Sequence, residues 1–232
     1  MHYLKRSGID VVGIDWSVQL KIASESFDSS VRYDVGDMRD MPYIDNNFGG
    51  VLALGSIEHI IEGPGKILSE IYRVMKPGGV AIITVPYMST IRSVSLFIKH
   101  PLGKMKNMNV VRRVFGKQRI DNNKSASIIR RQCYRRGVRM DLTVVNGRIE
   151  FYQYQYRKNQ FFEELSNAGF VVSSINANSL DEGIFHNFGS IAGRWDSDAG
   201  RVNFTIIGKL LRKMLNVEHT GHMLGAIVTK PT

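Results

Sequence analysis

The sequence is poor in cysteine and has no long apolar run. Its single cysteine, Cys133, excludes an internal disulfide and a cysteine metal cluster. None of the apolar runs approaches the roughly 20 residues of a membrane-spanning helix, and the opening residues MHYLKRSGID lack the apolar stretch of a signal peptide. From these absences we expect a cytoplasmic protein with one core domain and no metal site.

Acidic residues are scarce in one segment only. Residues 90–139 contain fourteen of the 31 Lys and Arg residues but only one acid, Asp121, of 21. This segment therefore carries +13 and the rest of the chain −3, so the segment supplies the whole net charge of +10. A cationic block of this kind attracts phosphates on lipids, nucleotides or nucleic acids, although a solvated helical face that aids solubility has the same composition.

Outside this segment, short β-branched runs alternate with helical patterns. The runs predicted as strands are residues 9–15, 31–34, 50–54, 80–85, 170–175 and 224–229. Apolar residues at helical spacing predict helices over 62–76 and 205–215. This alternation is typical of the α/β class, and we expect one doubly wound, mostly parallel sheet with helices on both faces.

The basic segment interrupts the alternation. We expect a basic helical lid insert over residues 88–148, with helical stretches near 90–99, 107–116 and 125–137. The insert divides the core into an N-terminal part, residues 1–87, and a C-terminal part, residues 149–232. The latter opens on residues 149–156, whose alternating pattern predicts a strand or an extended arm.

Several motifs follow one another in a fixed order along both parts of the core. They are VVGIDWS, YDVGDMRDMPYIDNNFGGVLALGSIEHI, ILSEIYRVMKPGGVAIITVPY, FYQYQYRKNQFFEELSNAGFVV and HMLGAIVTKP. Together they resemble the class I S-adenosylmethionine-dependent methyltransferases, in particular the small-molecule branch that includes the ubiquinone and menaquinone methyltransferases. The resemblance covers roughly residues 3–87 and 149–230, and it implies a Rossmann-like fold and S-adenosylmethionine as cofactor.

The resemblance also implies a cofactor site made of residues that directly follow strands. These are Asp15, Trp16, Gly36, Asp37, Met38, Gly55 and Ser56. In the family pattern Asp15 accepts both ribose hydroxyls, Asp37 accepts from the adenine amino group, Met38 covers the adenine face, and Ser56 lies where small residues approach the methionine part. In an open α/β sheet the ligand sits beyond the carboxyl ends of the strands, which suits these positions. A helix-capping Asp15 and a turn Asp37 are the structural alternatives.

Three further residues are candidates for contacts with the methyl acceptor. Glu58 and His59 come just after the third predicted strand and Tyr87 just after the fourth. By resemblance, Glu58 and Tyr87 bind the small-molecule acceptor, and His59 is a general base that takes a proton from an acceptor hydroxyl. A histidine that only orients the substrate or caps the local helix is the alternative. The charge of the insert suits an acceptor that bears phosphate or lies in an anionic membrane.

The sequence departs from the family at its start. The family's first strand carries a glycine-rich turn, D-x-G-x-G-x-G, and this motif is absent here. HYLKRSGIDVVGID matches the end of the first helix and the second strand, so on the usual strand order, 3-2-1-4-5-7-6, the central strand is missing. We therefore expect an N-terminally truncated methyltransferase.

Two other functions are compatible with the sequence. One is a catalytically inactive, methyltransferase-like binding module, and the other is an RNA methyltransferase. Both would use paired arginines of the basic insert for phosphate contacts; these are Arg112, Arg113, Arg130, Arg131, Arg135 and Arg136. The segment has few aromatic residues for base stacking, which favours a small-molecule acceptor, with a peripheral position at an anionic membrane, over nucleic acid. The helix over 205–215 is predicted either to pack in the core or to lie at such a surface.

Overall fold

The N-terminal elements form a small parallel sheet. The computed structural model describes residues 1–97, 138–146 and 148–232. Its first elements are α1 (His2–Arg6), β1 (Val12–Asp15), α2 (Val18–Phe27) and β2 (Arg32–Val35). β1 and β2 pair in parallel from Val12↔Arg32 to Asp15↔Val35 and make a sheet of their own. This unit is thinly packed, because none of the residues of α2 is buried.

A larger sheet of four strands forms the centre of the molecule. Its spatial order is β3 (Phe48–Leu54), β4 (Met75–Pro86), β10 (Met223–Thr229) and β7 (Val171–Asn178). β3 and β4 are parallel, whereas β10 runs antiparallel to both of its neighbours. A turn of 3-10 helix over Ile57–His59 and then α3 (Gly65–Val74) connect β3 to β4.

The remaining described elements frame this sheet. Residues 90–97 are helical. The others are the hairpin β5 (Arg139–Val145) and β6 (Arg148–Gln155), α4 (Lys158–Asn167), α5 (Leu180–Phe188), the hairpin β8 (Gly193–Asp196) and β9 (Arg201–Phe204), α6 (Ile206–Met214) and α7 (Val217–Thr220). None of the helices within these described ranges is long and apolar enough to cross a membrane.

In the part of the chain that the structure describes, one face of the four-stranded sheet is buried and the other is largely exposed. On the buried face Ala53, Ala81, Ile83 and residues of β10 pack against the apolar side chains of α3 and α4. Alternate residues on the other face are exposed, and these include Leu52, Leu54, Val80, Ile82 and Ile227. The period of two in a strand produces this division, because neighbouring side chains point to opposite faces.

The β1–β2 sheet and the four-stranded sheet each have an edge strand with one free side, as far as the described residues show. Among the described residues, β1 pairs only with β2, and β3 pairs only with β4. An unpaired edge presents free backbone donors and acceptors to a further strand. In the described structure, β1 and β3 therefore each present such an edge.

The structure confirms the α/β class and corrects three expectations about its details. The six predicted strands do not make one sheet: they divide between two sheets, and the last is antiparallel. The end of the insert is not helical, because residues 139–145 are strand β5. The predicted helices near 107–116 and 125–137 lie outside the described residues. The strand predicted over 149–156 is confirmed as β6.

The third correction concerns the predicted helix over 205–215. The helix is present as α6, but its apolar side chains are not in the core. Gly208 is the only buried residue of α6. It lies directly against the backbone of Ala192, since a Cβ at this position would be 1.9 Å from the Ala192 carbonyl oxygen. Close backbone packing at Gly208 therefore fixes the helix, and most of its large apolar residues stay exposed.

Candidate functional site

Asp15 ends strand β1 with its carboxylate held in a tight turn. Its Oδ1 accepts a hydrogen bond from the backbone N–H of Ser17 at 2.9 Å, and its carbonyl oxygen accepts one from Gly36 N–H at 3.0 Å. Ser17 in turn caps α2 through a bond to Leu20 N–H. Asp15 therefore supports the start of α2 and remains partly exposed at the carboxyl end of its strand, while Trp16 beside it is exposed.

Asp37 lies at the end of the adjacent strand and is bound by an arginine. Arg39 donates to both carboxylate oxygens, at 2.7–3.0 Å, and its backbone N–H donates as well. These bonds lower the pKa of Asp37 to about 2. Charge interactions of Asp37 with Lys66 and of Arg39 with Glu62 place this turn beside the start of α3. Asp37 therefore lies near the residues that follow β3, and Met38 packs partly against the core.

The turn after β3 holds two buried polar atoms. Gly55 adopts a left-handed conformation with φ of 67°, which a residue with a side chain adopts only with strain. Within the described residues, neither the Ser56 Oγ nor the Glu58 Oε2 has a hydrogen-bond partner. Glu58 is 2% exposed, and burial raises the pKa of its carboxyl group against the opposing charge of His59. Buried polar atoms without partners are costly in a folded protein and often mark a binding site.

His59 is oriented by β6, the second strand of the β5–β6 hairpin. Its Nδ1 lies 2.8 Å from the carbonyl oxygen of Tyr152, and the two rings meet edge to face with centroids 5.4 Å apart. A carbonyl can only accept, so Nδ1 carries the proton of the neutral ring and Nε2 keeps its lone pair. Nε2 lies 3.7 Å from Oε1 of Glu58, and the side chain is 40% exposed.

Tyr87 marks the end of β4 and is tied to the C-terminal elements. Its hydroxyl donates to the carbonyl oxygen of Glu218 at 3.0 Å, and its N–H donates to the carbonyl oxygen of His222 at 2.8 Å. Burial raises the pKa of the Tyr87 hydroxyl. Through His222, Tyr87 contacts a cluster of side chains that the sequence did not predict.

Two stacked histidines and an arginine form this cluster. The rings of His186 and His222 are parallel within 13°, with centroids 4.1 Å apart. Arg92 donates to the carbonyl oxygen of His186 at 3.3 Å. Burial, then the charges of His186 and Arg92, lower the pKa of His222 to about 4. The residues come from distant parts of the chain, so no sequence spacing signals the cluster; its only clue is that His222 directly precedes a strand.

The stacked pair predicts an acid-sensitive contribution to stability. The unfolded chain takes up a proton at His222 near its ordinary pKa of 6.5, whereas the folded chain does so only near 4. The free energy of unfolding should therefore fall by about 3 kcal/mol from His222 as pH is lowered from 7 to 4, because each pKa unit corresponds to about 1.4 kcal/mol. His186 and Arg92 face His222, and Asp141 and Arg139 lie close enough to act on this cluster.

Urea denaturation between pH 7 and pH 4 measures this effect. His222→Gln should flatten the pH dependence relative to the wild type, because it removes the titrating ring. His219→Gln is the matched control, since His219 is exposed on α7 nearby. Equal slopes for the wild type and His222→Gln would contradict the assignment.

The N-terminal part of the chain is similar in sequence to known methyltransferases. Residues 1–83 match the family described as methyltransferase domain. Ajmaline N-methyltransferase of Rauvolfia serpentina is 38% identical over 89 residues, which are 36% of this chain and 30% of that protein. The ubiquinone/menaquinone biosynthesis C-methyltransferase UbiE of Geotalea daltonii is 29% identical over 83 residues, which are 33% of this chain and 35% of that protein. The chain thus spans about a third of the length of these relatives.

The fold is similar to solved structures over nearly the whole chain. A S-adenosylmethionine-dependent methyltransferase of Methanosarcina mazei matches 99% of this chain and 86% of its own, with a TM-score of 0.57 and 13% identity. One from Mesorhizobium loti matches 99% and 84%, with a TM-score of 0.53 and 8% identity. Residues 1–83 are therefore similar in sequence to a methyltransferase domain, and the chain has the Rossmann-like fold that is also found in these two S-adenosylmethionine-dependent methyltransferases.

Proposed function

We propose that this protein transfers a methyl group from S-adenosylmethionine to a small-molecule acceptor. The observation that carries the proposal is that Asp15, Asp37 and Ser56 each lie just beyond a parallel strand, with the Asp37 turn beside the start of α3. The carboxyl ends of parallel strands are where open α/β sheets bind their ligands.

The residues at this edge fit the cofactor. The carboxylate of Asp15 is an acceptor suited to the two ribose hydroxyls of a nucleoside. Ser56 Oγ and Glu58 Oε2 are buried polar atoms without a partner among the described residues, and they suit the polar atoms of the methionine part. Asp37 would bind the adenine amino group only in competition with Arg39, which already occupies both of its oxygens.

The chemistry asked of the protein is mainly positioning. When bound, the cofactor would supply an electrophilic methyl group: the acceptor atom would bond to the methyl carbon as the carbon–sulfur bond breaks, and S-adenosylhomocysteine would leave. His59 would take the acceptor's proton at Nε2, the nitrogen that its contact with Tyr152 leaves with a lone pair. Tyr87 and the cluster of Arg92, His186 and His222 would line the acceptor side.

We also propose that one more parallel strand completes the cofactor site. Such a strand would pair at the free edges of β1 and β3, and its glycine-rich turn would pass close to the methionine part of the cofactor. The exposed Leu52 and Leu54 support this, because a strand and its following helix would cover them. The whole activity therefore depends on a chain that includes D-x-G-x-G-x-G.

Calorimetric titration with S-adenosylhomocysteine tests these proposals. A chain extended upstream in frame to include the glycine-rich strand should bind, and the 232-residue chain should bind far more weakly. In the extended chain Asp15→Ala should weaken binding by about 1–3 kcal/mol through the loss of charge-assisted hydrogen bonds. Asp10→Ala is the matched control, because Asp10 is exposed at the opposite end of β1. Unchanged affinity in Asp15→Ala would contradict the ribose role.

The charge of +13 on residues 90–139 favours one other function if the extended chain fails to bind S-adenosylhomocysteine. The protein would then be a methyltransferase-like binding module that uses its cationic segment, residues 90–139, to hold nucleic acid or a protein. Its paired arginines lie outside the described residues. Electrophoretic mobility shifts with RNA, in the absence of S-adenosylhomocysteine binding, would support this alternative over methyl transfer.

A further inference from the structure

The apolar side of α6 is wider than the surface on which the helix packs. Gly208 is buried against Ala192, and Leu211 and Leu215 are half-buried beside it. Ile206, Leu210 and Met214 are 80%, 55% and 79% exposed. Their spacing of four residues places them in one stripe along the helix. Core packing thus accounts for only part of the apolar side.

Cations accompany this stripe. The sequence of α6, IIGKLLRKM, contains Lys209, Arg212 and Lys213 and no acid. At 100° per residue, Lys213 and Lys209 follow Ile206 around the helix, on the side away from Leu211. Both lysines line a groove with Arg201 from β9, and the acid in this groove, Asp181, is paired with Arg212 at 2.7 Å. The helix therefore has an exposed apolar stripe next to a cationic groove.

This combination fits the interface of an anionic membrane. A helix lying in that plane buries its apolar side at the level of the acyl chains and directs lysines towards lipid phosphates. Each basic residue near an anionic surface adds to the attraction. A second copy of the chain packed symmetrically on the same stripe would bring the lysines of two α6 helices together, which like-charge repulsion disfavours.

We propose that α6 docks on membranes that contain anionic phospholipids. Ile206, Leu210 and Met214 enter the interface, and Lys209 and Lys213, with Arg201, contact lipid phosphates. This inference goes beyond the proposed methyl transfer and does not depend on it, because membrane binding is measured without cofactor or acceptor. It adds to the proposed function a location at which a lipid-embedded acceptor would be met.

Vesicle sedimentation tests the proposal with the full 232-residue chain. The chain should bind phosphatidylcholine vesicles that contain phosphatidylglycerol and not vesicles of phosphatidylcholine alone. Binding should weaken from low to physiological salt, because exposed charges are screened over about 8–10 Å there. Equal binding to both kinds of vesicle, or binding to neither, would overturn the proposal.

Two variants separate α6 from the cationic segment over 90–139. Leu210→Gln with Met214→Gln keeps every charge and should lower the partition coefficient by about tenfold or more, because apolar area no longer enters the interface. Val18→Gln with Ile44→Gln makes the same kind of change at exposed sites elsewhere and should leave binding unchanged. Circular dichroism checks that each variant is folded, and all four substituted positions are exposed.

The outcomes distinguish the membrane from other occupants of the stripe. Binding to anionic vesicles that survives Leu210→Gln with Met214→Gln would assign it to the cationic segment and overturn the role of α6. A wild-type dimer in analytical ultracentrifugation that this variant dissociates would assign the stripe to self-association. Tight binding to RNA without binding to vesicles would also overturn the proposal.

Discussion

Replacing Phe161 with alanine is expected to lower the free energy of unfolding by about 3–5 kcal/mol. Phe161 lies on α4 with none of its surface exposed, and its ring packs near that of Tyr156 at a centroid distance of 6.0 Å. It belongs to the cluster that joins α3, α4 and the four-stranded sheet. Alanine would remove most of the side chain and leave a cavity that rigid strands on one side cannot close.

The next residue supplies the control. Phe162 is 50% exposed, so Phe162→Ala makes the same chemical change with little lost burial and should cost less than about 1 kcal/mol. Urea denaturation followed by circular dichroism measures both variants. Equal losses would mean that α4 does not pack on the sheet through Phe161.

Replacing Gly208 with valine is expected to lower the free energy of unfolding by about 3 kcal/mol. A Cβ at this position would lie 1.9 Å from the carbonyl oxygen of Ala192 and 2.7 Å from the ring of Phe204. Because the first contact is with backbone, α6 would have to move away from the β8–β9 hairpin. The larger side chain then adds strain that no change of rotamer removes.

Gly65→Ala is the matched control for this variant. Gly65 is the first residue of α3, and a Cβ there has no atom within 4 Å. Alanine also has the better helix propensity, so stability should be unchanged or higher by up to about 1 kcal/mol. Thermal denaturation of both variants is the measurement, and a stable Gly208→Val protein would contradict the close approach of α6 to Ala192.

The strands were predictable from sequence, but their arrangement was not. Runs such as 80–85 and 224–229 are short and β-branched, and both are strands in the structure. Nothing in such a run fixes the direction of its neighbour, so the reversal of β10 was missed. The division into two sheets was missed because the alternation of strands and helices does not specify which strands pair.

The sequence shows which of the proposed site residues follow strands, but it does not show their contacts. Residues that follow strands, such as Asp15 and Asp37, are visible in the sequence. The ion pair of Asp37 with Arg39 could have been expected from the spacing of two residues within one turn. The stacking of His186 on His222 could not, because tertiary packing brings together residues that are far apart in sequence.

The helix α6 shows where a pattern stops being informative. Its periodicity predicts an amphipathic helix, and the helix is present. Which part of the apolar side faces inward depends on Gly208, whose lack of a side chain lets the backbone of Ala192, just before β8, approach. The pattern of large apolar residues in the sequence predicts that this side of α6 packs in the core, whereas the structure exposes most of these residues.

The thin packing of the β1–β2 unit would couple the binding of a ligand at the proposed site to local order. Asp15 and Asp37 stand on this unit, whose helix α2 has no buried residue, whereas Ser56 and Glu58 stand at the end of a strand in the main sheet. Segments with little buried apolar surface open locally at low free energy. A ligand that contacts both the β1–β2 unit and the main sheet would bind only the form in which the β1–β2 unit is ordered, and it would raise the population of that form. Its measured affinity would therefore include the free energy of holding residues 1–40 in place.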